Sequence, residues 1–396
     1  MNQSVAHNRI KVSTFENGVG SKEIYITMKG IPDLSFSDQV KQLELTYNSV
    51  LKDLGLNQNT EVFRRFFLSD AVNQFMELFD SAIYRQPHDY AGAATSIIQQ
   101  SALPDSKVAL ESYHVRFSSD VFRQKLPIQN RCHANGLRIS HQGYDYMWLA
   151  NLGWGTCEEG GDVFQQTTKS FDALIADLDQ ISSSLSNDVV RTWIYIRDVD
   201  KYYKSMVEAR KQVFIREGLT PATRFLASTG IEGKSFCPHL DFLMDVIAIK
   251  GLSPGQMVQL DVPHMMNSPH EYGVTFERAA QVFFGDRTHI HLSGTASIDS
   301  EGRVLHPGNI SKQLDRTFEN IAALLERGNA SLGDLALMNV YLRDVGDASS
   351  VQSYLENMAI DVPYQLLHAP VCRPEWLVEI DGVAITRHQD KKYRPY

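Results

Sequence analysis

Gln313-Leu-Asp-Arg-Thr-Phe-Glu-Asn-Ile-Ala-Ala-Leu-Leu325, Leu337-Met-Asn-Val-Tyr-Leu-Arg-Asp344 and Trp376-Leu-Val-Glu-Ile-Asp-Gly-Val-Ala-Ile385 decide how the whole chain is read. In the first stretch Leu314, Phe318, Ile321 and Leu325 fall three or four positions apart, which predicts an amphipathic helix. The other two are rich in β-branched and aromatic residues and predict strands. Between them lie a helical pattern over residues 348–358 and an extended stretch over 364–371.

The same order recurs upstream. Gln166-Thr-Thr-Lys-Ser-Phe-Asp-Ala-Leu-Ile-Ala-Asp-Leu178 is followed by Val190-Arg-Thr-Trp-Ile-Tyr-Ile-Arg-Asp198, a helix over 202–216, a strand at 224–228 and another at 240–249. A fainter copy opens the chain: a helix over 42–54 beginning at Gln42, a strand at 62–70, a helix at 71–79, and strands at 94–100 and 107–115. Three tandem units are therefore expected, at 1–125, 126–255 and 256–396, in an α+β chain. Each unit offers one sheet with helices on one face only, so its other face must be buried elsewhere. Three such faces can bury one another. The units are expected to pack about a pseudo-threefold axis, with a barrel-like sheet core, helices outside, and ligand clefts between neighbours.

Composition narrows the function. The 396 residues are 43% hydrophobic and 21% charged, with a formal net charge of -9, as in ordinary globular proteins. No run of Lys and Arg forms a phosphate-binding surface, so nucleic acid is not an expected partner. No stretch reaches the roughly 18 to 20 apolar residues of a membrane span. Cys132, Cys157, Cys237 and Cys372 lack Cys-x-x-Cys spacing and read as reduced thiols of a cytoplasmic protein. No metal or other cofactor is expected: His289 and His291 share a strand face, yet no carboxylate stands at ligand spacing beside them. Ser228-Thr-Gly-Ile-Glu-Gly-Lys-Ser235 misses a phosphate-loop pattern at its first position.

His291-Leu-Ser-Gly-Thr-Ala-Ser297, Val340-Tyr-Leu-Arg-Asp344 and Leu377-Val-Glu-Ile-Asp381 make the last unit resemble the Rid (YjgF) family, formerly called L-PSP endoribonucleases. That family builds small homotrimers of a chorismate mutase-like fold, with ligand sites at subunit interfaces. The resemblance implies an intramolecular pseudo-trimer, monomeric or weakly self-associating. The family's imine and enamine deaminases use an Arg for the substrate carboxylate and a Glu that handles water. Glu379 matches that Glu, and Ser293 and Gly294 match the family's Ser-Gly turn. The Arg position falls near Gln365, so the deaminase pattern is broken there, and Arg373 and Arg224 are the candidate replacements. Leu243 and Ala109 stand where the other units would carry the Glu, whereas Asp245 and Glu111 match Asp381.

Ser293-Gly-Thr-Ala-Ser-Ile298, Val304-Leu-His-Pro-Gly308, Cys372-Arg373 and Glu379 also resemble the chorismatases, which hydrolyse the enolpyruvyl ether of chorismate. A substrate with two carboxylates needs more than one Arg, and Arg373, Arg224 and Arg278 are available. Phe276 is a candidate cleft wall, and Cys372 a buried thiol lining the site rather than a nucleophile. The leading expectation is a hydrolase of a small carboxylate-bearing enamine, imine or enol ether. Glu379 would carry a proton at a pKa raised by an apolar pocket. The alternative is a non-catalytic ligand-binding or regulatory protein of the same family. The acidic balance disfavours a ribonuclease.

Overall fold

In the computed structural model, residues 9–18, 20–85, 91–126, 128, 133–155, 160–269, 273–358 and 361–396 are described. The first unit runs β1 (Ile10–Phe15), β2 (Lys22–Lys29), α1 (Phe36–Asp53), β3 (Glu61–Leu68), α2 (Ala71–Asp80), β4 (Ala94–Gln99) and β5 (Val108–Arg116). The second adds an edge strand, β6 (Phe122–Lys125), before β7 (Asn135–His141), β8 (Tyr144–Leu152), α3 (Val163–Gln180), β9 (Val189–Ile196), α4 (Val199–Arg216), β10 (Ala227–Glu232) and β11 (Phe242–Lys250). The third likewise adds β12 (Met257–Leu260). Then come β13 (Ala279–Phe283), β14 (Arg287–Ala296), α5 (Ile310–Arg327), β15 (Leu335–Leu342), α6 (Ala348–Asn357), β16 (Tyr364–His368) and β17 (Val378–Arg387).

The three sheets share one strand order. It is β1-β2-β5-β3-β4 in the first, β7-β8-β11-β9-β10 after β6 in the second, and β13-β14-β17-β15-β16 after β12 in the third. In each, the last parallel pair (β3 with β4, β9 with β10, β15 with β16) is joined across a helix, as parallel strands require. Register fixes which residues correspond: Arg65 opposes Glu111, Trp193 opposes Asp245, and Asn339 opposes Asp381.

The helices are set by caps and by one recurring side chain. Ser35, Asp162 and Asn309 each accept a backbone N–H of the first turn of α1, α3 and α5. A buried Gln in each of these helices accepts the backbone N–H that leads into the unit's last strand: Gln39 from Lys107, Gln166 from Asp241 and Gln313 from Leu377. In the first unit this residue is Gln39 and not Gln42, one helical turn earlier than the sequence pattern suggests. The strand expected at 224–228 is observed as β10, three residues later. On α5, Leu314, Phe318, Ile321 and Leu325 are buried against the sheet.

The sheets remain three open sheets and do not close into one barrel. Single bridges link their edges: Gln99 with Lys234, Ile231 with Val371, and Ala102 with Leu367. The other faces of the sheets meet in an aromatic core that includes Tyr25, Tyr113, Tyr146, Trp148 and Tyr396. Among the described residues no helix is long and apolar enough to cross a membrane. The expectation of four reduced thiols needs correction. Cys372 is free, but Cys237 is disulfide-bonded; the two other cysteines, Cys132 and Cys157, lie outside the described residues. A contact between cysteines far apart in sequence leaves no spacing signature, which is why the sequence did not show it.

Candidate active site

Glu379 is the second residue of β17, opposite Tyr341 on β15 and Ala296 on β14. Its immediate surroundings are built by an irregularity in β14. Between the Leu292–Gly382 and Thr295–Ile380 pairs, Ser293 and Gly294 together oppose one residue of β17. Such a bulge re-aims the strand locally. It brings the Gly294 backbone against the Glu379 carboxyl, where a Cβ would lie 2.1 Å from Oε1. Ser293 secures the bulge: its hydroxyl donates to Glu277 O (2.5 Å) and accepts the Ser228 N–H (2.8 Å), tying β14 to β10 of the second unit.

Around this carboxyl lies a cavity of about 240 Å³. The third unit supplies Glu379, Gly294, Cys372, Arg373 and Trp376. The second supplies Ser228, Gly230, Tyr203 and Arg210, and the β12–β13 connection of the third unit supplies Phe276 and Arg278. Arg278 and Arg210 are each 2% exposed. Arg278 donates to Asn267 O at 2.9 Å and Arg210 to Thr275 Oγ1 at 3.0 Å. Arg373 donates to Gly302 O (2.8 Å) and lies 4.7 Å over the Trp376 ring. Three guanidiniums thus reach one cavity from three different segments.

Burial pushes the Glu379 carboxyl up to about 8. The neighbouring Asp381 charge pushes the same way, while Arg278 and Arg191 pull it down. Asp381 itself is densely solvated by protein. It accepts from Thr229 Oγ1 (2.7 Å), Trp193 Nε1 (2.9 Å), Arg191 Nη2 (3.0 Å) and Tyr341 Oη (3.1 Å). Two carboxyls on one strand face therefore sit in different environments, Asp381 among four donors and Glu379 against a cavity wall where burial favours its protonated form. Burial, and then the Glu379 charge, pushes the Cys372 thiol up to about 12, so Cys372 is a wall and carries no thiolate at neutral pH.

The structure thus brings Glu379, Gly294, Phe276, Arg278, Cys372 and Arg373 together, with Ser293 directly behind the bulge. Arg224 is elsewhere. Its guanidinium donates to Ser186 O (2.9 Å) and Val189 O (3.0 Å), and burial pulls it down to about 10. Register gives the reason: the residue of the second unit that corresponds to Gln365 is Thr229, paired with Trp193 as Gln365 is with Asn339. Gln365 itself donates to Leu110 O (2.9 Å) of the first unit, so it lies in a different cleft from Glu379. Arg210 and Tyr203 escaped the sequence reading. The signal for Arg210 was present: it falls in step with Met206, Val213 and Phe214 on the buried stripe of α4, where an arginine is out of place.

Residues 281–386 match the family model described as Endoribonuclease L-PSP. A RutC family protein of Pyrococcus abyssi is 41% identical over 97 residues, covering 24% of this chain and 76% of that protein. A chorismatase of Streptomyces rapamycinicus is 26% identical over 281 residues, 63% of this chain and 80% of that protein. The crystal structure of a chorismatase superposes on 93% of this chain and 100% of its own with a TM-score of 0.63 at 18% identity, a likeness of fold.

Proposed function

The chain belongs to the RutC family, the Rid or endoribonuclease L-PSP proteins, and from that premise we propose that it is a hydrolase of a small carboxylate-bearing enol ether. The site is the cavity between the second and third units, with Glu379 as the acid–base group. The observation that carries this reading is a carboxyl held near 8 in the same cavity as Arg210, Arg278 and Arg373. One carboxylate is satisfied by one bidentate guanidinium. Three guanidiniums suit a substrate with two carboxylates, which favours the enolpyruvyl ether of chorismate over a simple enamine acid.

At neutral pH a carboxyl standing at about 8 is mostly protonated and is a competent general acid. Its proton passes to the terminal methylene carbon of the enol ether. A C–H bond forms from the C=C electron pair, and an oxocarbenium is left on the ether carbon. Water adds to that carbon and gives its proton to the Glu379 carboxylate, which restores the acid. The hemiketal then collapses: the C–O bond to the ring breaks, the alcohol leaves with a proton, and pyruvate remains. The same steps, with nitrogen in place of the ether oxygen, hydrolyse an enamine: protonation of carbon gives an iminium, water adds, and the carbinolamine expels ammonia.

The test is pyruvate release from chorismate and, in parallel, from a freshly generated 2-aminoacrylate-type enamine, by wild type and Glu379→Gln. Turnover of chorismate that Glu379→Gln lowers by at least about 10³-fold supports the reading. Turnover of the enamine alone moves the function to the deaminase branch. Silence on both substrates, with tight binding of a carboxylate ligand, identifies a binding protein and overturns it.

A further inference from the structure

A second cavity, of about 60 Å³, lies where the three sheets face one another on the pseudo-threefold axis. It is separate from the cleft of Glu379. Its walls are aromatic: Tyr25, Tyr113, Tyr146, Trp148, Trp193 and Tyr396. Glu111, Asn339, His289, His291 and Asp381 supply its polar side chains, and aliphatic residues such as Ile247 and Leu337 fill the rest. Four buried polar atoms of these residues make no well-formed hydrogen bond: Glu111 Oε2, Asn339 Oδ1, His291 Nε2 and Tyr146 Oη, although the Asn339 amide stands close enough to Glu111 to favour its ionised form. Their residues are 4%, 1%, 7% and 1% exposed. An orphaned buried polar atom costs about 1–3 kcal/mol, so four lining one small space define what should fill it.

Charge gives the sign of that occupant. Five buried acids, Glu111 and Asp381 in the lining and Glu23, Asp245 and Asp286 behind it, are paired with three buried guanidiniums, Arg65, Arg191 and Arg287. Arg65 pairs with Glu111 and Asp245, Arg191 with Asp381, and Arg287 with Glu23 and Asp286. His289 contacts Glu23 at 2.9 Å, and even a cationic His289 leaves one negative charge uncompensated. Burial pulls His291 down to about 3, so it adds no charge. Glu111, its carboxyl raised by burial, balances the cluster either by keeping a proton or by facing a cation.

We propose that the axial chamber binds one small ammonium-type cation, ammonium or methylammonium. Glu111 Oε2 and Asn339 Oδ1 accept its N–H groups, and the rings of Tyr25, Tyr146 and Trp148 surround it. Aromatic rings attract desolvated cations. Trp193 is already engaged, with Arg65 and Arg191 centred 4.7 and 4.6 Å over its ring. A hard metal ion asks for six or more oxygens, and among the described residues no group of three or more His, Cys, Asp or Glu gathers to hold one. A space of 60 Å³ takes about four water-sized groups and excludes a bulky quaternary ammonium.

The test uses the whole chain. Thermal melts and calorimetric titrations with ammonium, methylammonium, sodium and tetramethylammonium chlorides are compared at equal ionic strength, at pH 6 and pH 8. Ammonium and methylammonium are expected to raise the Tm and to bind with a stoichiometry near one; sodium and tetramethylammonium are not. Binding is expected to release a proton from Glu111, which appears as a heat that depends on the buffer's ionisation enthalpy. Glu111→Gln, which mimics the protonated acid, and Asn339→Leu should each weaken binding at least tenfold, whereas Glu379→Gln should leave it unchanged. Wild type that responds identically to all four salts overturns the proposal and leaves a water cluster on a protonated Glu111. Binding that survives in folded Glu111→Gln overturns it too. Because the wild-type salt comparison stands alone, a variant that fails to fold does not rescue it.

Discussion

Gly294→Ala tests whether the position of one carboxyl limits turnover. The backbone of Gly294 is not in the left-handed region, so alanine meets no conformational strain there, and the whole effect is steric. The new methyl would stand 2.1 Å from Glu379 Oε1, 2.7 Å from its Cδ and 3.2 Å from Thr229 Cγ2. Carbon–oxygen contacts settle near 3.3 Å, so the carboxyl must retreat by about 1.2 Å, the difference of 3.3 and 2.1. It has somewhere to go, because the cavity in front of it measures about 240 Å³. Swinging one side chain off its preferred rotamer costs about 0.5–1.5 kcal/mol, which moves the Tm by only a few degrees. A misplacement of about 1 Å in a reacting group, by contrast, costs about 10²-fold in rate, or about 2.7 kcal/mol of transition-state stabilisation.

The expected result is therefore a split: kcat/KM for the substrate found by pyruvate release falls about 100-fold, while the circular-dichroism melt shifts by no more than about 5 °C. Retention of kcat/KM within threefold in a variant of unchanged stability would refute the assignment of Glu379 as the proton carrier held by the bulge. A melt lowered by more than about 10 °C would refute the steric reasoning as well, since it would place the cost in the packing of β14 against β10.

The raised Glu379 carboxyl makes stability depend on pH with a definite sign. The folded chain holds this proton at about 8 and an ordinary glutamic acid holds it at 4.5. The contribution is thus full below about pH 4.5 and is lost as pH rises through 8. Wild type should lose stability from pH 5 to pH 9 relative to Glu379→Gln, by up to a few kcal/mol and with a falling Tm, and its turnover should fall above about pH 8. Parallel Tm curves for the two proteins would contradict this. Arg278→Gln removes a charge that lowers the Glu379 carboxyl and one that faces the cavity. It should raise KM about 10- to 100-fold and move the alkaline limb of the pH–rate profile upward; an unchanged KM would exclude Arg278 from carboxylate binding. Arg224→Gln should keep kcat/KM within about twofold and cost about 1–3 kcal/mol in urea unfolding, because Ser186 O and Val189 O lose their donors.

The fold was legible because burial leaves a period in the sequence. Leu314, Phe318, Ile321 and Leu325 declare the buried stripe of α5, and the strand order follows from three repetitions of one pattern. Glu379 and its cavity partners Arg373 and Arg278 were legible for a different reason: short motifs of the third unit surround them. What was illegible depends on strand register between units. Whether Gln365 or Thr229 faces Glu379 is decided by which edge strand packs beside β14, and composition does not encode that. Arg224 was misplaced by five residues for the same cause, since β10 begins at Ala227 and its corresponding residue is Thr229. The Cys237 disulfide depends on a contact across a long sequence separation; Arg210, by contrast, showed its burial in the periodicity of α4, though not the cavity it reaches.

Joining three units in one chain has a physical consequence at the axis and in the clefts. In a symmetric trimer every substitution is made three times, so three acids on the axis would have to meet three identical partners. Here the residues opposite Glu111, Asp245 and Asp381 are Arg65, Trp193 and Asn339, one large cation, one large ring and one small amide. Three arginines in that ring would repel one another in a space of low dielectric, and three tryptophans would overfill it. The clefts diverge in the same manner. At the register of Glu379 stand Ala109 in the first unit and Leu243 in the second, opposite Phe67 and Tyr195 as Glu379 is opposite Tyr341. A buried, protonated carboxyl costs stability through its desolvation wherever it occurs. Confining it to one cleft, with Ala109 and Leu243 at the same register in the other two units, limits that penalty to the cleft proposed as the active site.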